Sequence, residues 1–175
     1  MIVESVKIVA DALADATIGV NAQIPTVPRF AGHDQPPNVK NVLTIFDDER
    51  TASEEDPADW PALIVTVGTP WSLDGFPLTD NLQGRGGGVS VLYYTRKPDY
   101  EVALRDGYYT IRAALWTLVD LFDPGRAGSE ADRVQNGIQL EALTGHTMGL
   151  TGRRLDSGAV TARLDSQFQA RELLP

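Results

Sequence analysis

One segment constrains the fold of this chain more than any other. Residues 159–171 read AVTARLDSQFQAR, with apolar side chains at alternate positions except for Ser166, and polar or charged side chains between them. Because side chains alternate across a strand, the segment predicts a β-strand with one buried face and one face towards water or a partner. At about 3.3 Å per residue the strand would span roughly 40 Å, about twice the usual length. We therefore expect a bulge around Ser166, or a strand that extends beyond its own domain.

The bulk composition bounds the class of protein. The 175 residues suit a single domain, residues 1–175, with a sizeable core. A net charge of −9 argues against a general phosphate-binding surface, although DNA could still pass such a protein without adhering. The absence of cysteine excludes disulfides and thiolate metal sites and fits a reducing compartment. The sequence carries no membrane-spanning run and no secretory signal, so we expect a soluble protein made in the cytoplasm.

Two segments have the periodicity of helices. Residues 2–17 place apolar side chains three and four apart, which predicts an amphipathic helix that ends near Gly19. A second helix is predicted to begin at Asp99 as its N-cap and to end before Pro124. Its expected core stripe consists of Leu104, Tyr108, Ile111, Leu115, Leu118 and Phe122.

Five strands are predicted, separated by loops. Ile138, Leu140 and Ala142 are expected on one side of the fourth strand. The order α-β-β-β-α-β-β predicts an α+β fold, a mainly antiparallel sheet packed by two helices. The strands are expected at 42–46, 62–67, 89–95, 136–144 and 159–171, and long loops at 18–41, 47–61, 68–88 and 145–158.

No segment has the pattern of a catalytic or cofactor site. The glycines of residues 84–88 precede a strand instead of a helix, so they predict a flexible loop or hairpin tip and not a phosphate cradle. His33 and His146 are expected in exposed loops. Asp47 and Asp48, at a strand end in an acidic stretch, leave open a carboxylate pair for metal binding or hydrolysis. We expect no cofactor, no metal and no enzymatic activity.

Several polar residues are candidates for contacts between subunits. Basic residues are few in this acidic chain, and those that cluster could pair with acids on a neighbouring subunit. The outward face of the last strand adds further polar candidates. The predicted interface residues are Arg85, Arg96, Arg153, Arg154, Arg163, Gln167 and Gln169.

The order of elements resembles a known family. An N-terminal amphipathic helix, a strand VSVLYYTR that runs into a long helix, and a terminal hairpin ending in FQARE together resemble the tail terminator (tail completion) proteins of long-tailed bacteriophages. The resemblance implies an α/β sandwich whose six copies form a ring that caps the tail tube and meets the head connector. DNA passes through the lumen of such a ring.

The resemblance also implies partners and a location. The partners would be further copies of the chain, the tail-tube protein and the head–tail connector protein, in the virion, after assembly in the host cytoplasm. The long last strand would suit a sheet that continues towards a neighbour. Three alternatives stay open: another neck protein, a small-molecule binding domain or metal-dependent hydrolase using Asp47 and Asp48, and an intracellular oligomer with no viral role.

Overall fold

The protein folds around a sheet that carries its helices on one face. The computed structural model describes residues 2–44, 60–69, 84–96, 99–122, 133–155 and 158–172. The helices in this part are α1 (Ile2–Ala14), the short α2 (Val20–Gln23) and α3 (Tyr100–Phe122), with a 3-10 turn at Ile24–Thr26. The strands are β1 (Asn41–Thr44), β2 (Ala62–Val67), β3 (Gly84–Thr95), β4 (Val134–Gln135), β5 (Ile138–Leu155) and β6 (Gly158–Glu172).

The sheet confirms the predicted fold class. Its described strands lie in the order β1-β2-β3-β6-β5-β4, and neighbouring strands are antiparallel except for the parallel pair β1 and β2. The element order matches the predicted α-β-β-β-α-β-β apart from α2, the 3-10 turn and β4. β2 has the predicted bounds and lies between two neighbours. The main core forms between the sheet and the two long helices.

The first helix ends earlier than its periodicity predicts. Val6, Val9 and Leu13 are buried against the sheet, as an amphipathic helix requires. The helix ends at Ala14 instead of residue 17 because the Asp15 side chain competes for backbone donors. Its Oδ1 accepts the N–H groups of Thr17 at 2.6 Å and Ile18 at 2.9 Å. These two bonds hold the pKa of Asp15 below its usual value.

The long helix α3 begins as predicted but fully buries only half of its predicted stripe. Asp99 Oδ1 accepts the N–H groups of Glu101 at 3.0 Å and Val102 at 3.1 Å, which confirms the N-cap. Half of the predicted stripe, namely Leu104, Tyr108 and Leu115, is only partly buried. The face against the sheet instead includes the small side chains of Ala103, Gly107, Thr110, Ala114 and Thr117, which let the helix approach closely.

The last strand confirms its predicted extent and, from Ala162 onwards, its predicted faces. The positions buried on one face are Ala162, Leu164, Ser166, Phe168 and Ala170, while Arg163 and Gln167 are exposed. The expectation of a bulge at Ser166 is wrong, because Ser166 pairs regularly with Val89 and with His146. The irregularity lies instead at Thr161, where β6 has one residue more than β3.

The last strand does not extend beyond its domain. β3 pairs with β6 along residues 159–171, and β5 pairs with it along residues 158–172. Because both edges of β6 are occupied, the expectation that this strand continues the sheet towards a neighbour is wrong. β6 is instead the central strand of a long three-stranded ribbon, β3-β6-β5.

The prediction of a loop at residues 145–158 is also wrong, since β5 continues to Leu155. Bulges in β5 also make wrong the expectation that Ala142 lies on the same side as Ile138 and Leu140. The extra residue Glu141 moves Ala142 to the face opposite Leu140, and a further bulge before Gly145 restores the phase. Before β5, a tight turn at Asn136 (φ 48°) and Gly137 (φ 75°) joins it to β4, which the prediction lacked.

The glycine-rich segment is part of a strand. Residues 84–88 extend β3 and pair with residues 167–171 of β6, so the loop predicted over 68–88 ends before Gly84. The remainder of that loop, residues 70–83, lies outside the described residues. So do residues 45–59, which include the acidic stretch and the last two residues of the strand predicted at 42–46.

Candidate subunit interface

The sheet has one face on which no helix packs in the described part of the chain. We call it the helix-free face. The helices cover the side that carries Val91, Leu164 and Phe168. Because side chains alternate, the intervening residues point to the other side. The helix-free face thus includes Ser90, Leu92 and Tyr94 of β3 and Arg163, Asp165, Gln167, Gln169 and Arg171 of β6.

A polar cluster occupies the centre of this face. Asp165 Oδ1 accepts hydrogen bonds from Arg163 Nε at 2.8 Å and from the buried hydroxyl of Ser90. Arg163 Nη2 lies 2.7 Å from the same carboxylate oxygen and 3.2 Å from Ser90 Oγ. The pairing leaves Arg163 half exposed, so its guanidinium remains available to a further acceptor. An exposed pair of this kind adds at most about 1 kcal/mol to stability.

Gln167 and Gln169 continue the face beyond this cluster. Gln167 is exposed and Gln169 is partly buried, and both lie on β6 beside glycines of β3, Gly88 and Gly86. Thr69 covers Gly88, whereas the nearest atom to a Cβ at Gly86 would be 3.9 Å away. Three of the predicted interface residues, Arg163, Gln167 and Gln169, therefore share one surface.

A small aromatic cluster lies nearer one end of the same face. Trp60 packs on Tyr94 with ring centroids 4.2 Å apart, and Ala62 and Ile64 complete a minor core separate from the main one. The guanidinium carbon of Arg96 lies 5.5 Å from the centre of the Trp60 ring, a cation–π geometry. Arg96 is thus anchored on an aromatic surface, which the sequence pattern did not indicate.

The sheet register places Arg96 at the same end of the sheet as Arg153 and Arg154, and it places Arg85 at the other end. Thr95 pairs with Ala159, which in turn pairs with Arg154, so Arg96 follows directly at the end of the sheet where Arg153 and Arg154 lie. Arg85 lies at the other end of β3, opposite Ala170. The side chains of Arg85, Arg153 and Arg154 lie outside the described part of the structure.

The outer edge of β5 is the second candidate surface, and the sequence analysis missed it. β4 pairs with β5 only at residues 138 and 139, so from residue 140 onwards the outer edge of β5 has no partner strand in the described part of the chain. Residues 144–150, TGHTMGL, contain no charged residue, and none of them is buried. Leu150 is 58% exposed although it is apolar.

The ladder between β5 and β6 is regular over residues 145–150, between two bulges. A regular, uncharged edge is a template for another strand, and charges or proline normally protect such edges. The signal was present in the alternation of His146, Met148 and Leu150. The glycines and arginines of residues 145–158 instead favour a loop in the sequence.

The two histidines lie on different elements. His33 is exposed and its Nδ1 lies 2.7 Å from the hydroxyl of Tyr109. His146 is exposed but belongs to β5 instead of a loop, which corrects the prediction. Within the described ranges, no group of three His, Asp or Glu side chains is arranged to hold a metal ion. Asp47 and Asp48 lie outside those ranges.

No helix in the described residues is long and apolar enough to cross a membrane. Compared with models of known protein families and with curated proteins, the sequence shows no match.

Proposed function

We propose that this protein is a structural subunit, without enzymatic activity, that assembles with copies of itself into a closed ring of six at the head-proximal end of a phage tail. In this role the ring caps the tail tube and joins it to the head connector. The proposal rests first on one observation: residues 144–150 of β5 are uncharged, none of them is fully buried, and their outer edge has no partner strand in the described part of the chain.

An unpaired strand edge is a hazard for a monomer. An unprotected edge of six regular residues invites pairing with any other strand, so a monomer would be prone to aggregate. Covering the edge with a neighbouring subunit removes the hazard. The exposed Leu150 adds apolar area to such a contact.

The second surface supplies polar contacts. Arg163, Gln167 and Gln169 lie on the helix-free face of the sheet, a different place on the subunit from the β5 edge. A subunit with two different contact surfaces forms heterologous interfaces, which close into a ring when the rotation between subunits allows it. A net charge of −9 suits a lumen through which DNA passes without adhering.

The tail-end role is tested by adding the purified protein to polymerising tail-tube protein of the same phage particle. We expect cryo-electron microscopy to show rings at one end of the tubes and shorter tubes as more protein is added. Tubes of unchanged length with no protein at either end would contradict the role. Binding to the head connector alone would instead assign the protein to another position in the neck.

A further inference from the structure

Three hydrogen-bond donors lie close together beneath the helix-free face without an acceptor. Trp60 is 6% exposed, and its indole Nε1 is buried. The Nε and Nη2 atoms of Arg96, whose guanidinium lies over the same ring, are buried as well. None of these three nitrogens has a hydrogen-bond partner in the part of the chain that the structure describes.

Buried donors without an acceptor are rare and costly, most of all when they carry charge. The stacking with Tyr94 and Arg96 holds the indole ring in place but offers no acceptor in the ring plane, where its N–H points. One acceptor placed beside the guanidinium and the indole could therefore satisfy all three donors.

The geometry of the donors selects the chemistry of that acceptor. Nε–H and Nη2–H lie on one edge of a guanidinium and point the same way, so they match the two oxygens of a carboxylate. The indole N–H can add a third hydrogen bond to either oxygen. A phosphate group would fit the same edge, but its larger charge is disfavoured by a protein whose net charge is −9.

We propose that Arg96 and Trp60 bind the carboxylate of an aspartate or glutamate from a second copy of this chain. The inference rests on the proposed ring and names one contact within it. The chain has 24 acidic residues against 15 basic ones, so a second copy presents many carboxylates and few competing cations. Arg96 is only partly buried as a residue, and its side chain can turn the donor edge towards an incoming group.

The test converts the contact into a covalent bond. In the variant Arg96→Lys, a zero-length carbodiimide cross-linker joins the new amine to any carboxylate in contact with it. Light and isotope-labelled chains are mixed before assembly, so that mass spectrometry separates bonds between chains from bonds within one chain. We expect a cross-link from position 96 to an acidic residue of another chain. Arg163→Lys is the matched control, because Asp165 lies beside it and should give a cross-link within the chain.

Two further variants check the contribution of each donor. Trp60→Phe keeps the stacking on Tyr94 but removes the N–H, and Arg96→Gln removes the charged edge. We expect the dissociation constant of the assembly to rise about tenfold for Arg96→Gln, and less for Trp60→Phe, with unchanged circular dichroism.

A cross-link only within one chain, or none while the rings form normally, would overturn the proposed contact and leave the ring itself standing. Wild-type chains that never associate, alone or with tube protein, would overturn both.

Discussion

The Thr161 hydroxyl donates a hydrogen bond of 3.0 Å to the backbone carbonyl oxygen of Ala103, and this bond joins the bulge of β6 to the first turn of α3. The bulge allows Thr161 and Ala162 to be buried side by side, which a regular strand does not permit. The register of the helix on the sheet is therefore set partly by a polar contact at the position where the strand is irregular.

Replacing Thr161 by valine keeps the shape of the side chain and removes the donor. We expect Thr161→Val to lower the free energy of unfolding by about 1 kcal/mol, because a buried hydrogen bond is lost. Thr110→Val is the matched control, since the Thr110 hydroxyl is equally buried but has no partner in the described part of the chain. That variant should be neutral or more stable. Urea unfolding of both measures the difference, and equal losses would contradict the account.

Gly107 is a point of close contact between α3 and the sheet. A Cβ atom there would lie 3.1 Å from Ala162 Cβ and from Tyr93 Cδ1, and still closer to the Thr161 hydroxyl. We expect Gly107→Ala to destabilise the protein by about 1–3 kcal/mol through overpacking, although alanine favours helices. Gly149→Ala, where no atom lies within 4 Å of the added Cβ, should leave the unfolding free energy nearly unchanged. A more stable Gly107→Ala variant would mean that the helix does not approach the sheet this closely.

Tyr93 should make stability fall at high pH. Burial, with a smaller contribution from the Asp106 carboxylate, raises the pKa of Tyr93 above its usual value of 10.0. Below the unfolded-state pKa both states are protonated and the stability is fully present. As the pH rises further, only the unfolded state ionises, so stability is lost by up to about 1.4 kcal/mol per pH unit.

The difference in unfolding free energy between wild type and Tyr93→Phe isolates this effect. Above about pH 10 the unfolding free energy of the wild type should fall relative to that of Tyr93→Phe, because phenylalanine does not titrate there. A difference that is constant from pH 8 to pH 11 would show that Tyr93 ionises equally in both states.

The β5 edge can be tested with one charge. We expect Leu150→Lys to weaken self-association about tenfold or more without a large change in unfolding free energy, because the side chain is already exposed and a buried lysine in the contact would be costly. Phe30→Lys is the control: Phe30 is 71% exposed and apolar, but lies in the segment before β1. Sedimentation velocity compares the two. Equal weakening by both variants would remove the β5 edge from the interface.

Much of the fold could be predicted because the spacing of apolar residues along a helix or strand reflects which of its faces is buried. The faces of β6 from Ala162 onwards, the bounds of β2 and the Asp99 cap all follow from local rules that the tertiary structure leaves intact. The α+β class follows from the order of these elements.

The errors lie where tertiary packing overrides a local pattern. In α3, three of the large side chains predicted to face the sheet, those of Leu104, Tyr108 and Leu115, are only partly buried. Gly107 and the other small residues of the helix instead permit a close approach to the sheet. In β5, the bulge at Glu141 places Ala142 on the face opposite Leu140. The glycines and arginines of residues 145–158 favour a loop, although the strand continues through them to Leu155. Trp60 could not be placed from sequence, since only the pairing of β2 with β3 brings it onto Tyr94.

The central claim, assembly into a closed ring, is tested most directly by native mass spectrometry of the wild-type protein over a range of concentrations, alone and with tail-tube protein. The account predicts one closed species with the mass of six chains, which does not grow further as the concentration rises. A protein that stays monomeric under all these conditions, or that forms an open series of ever larger species, would contradict it.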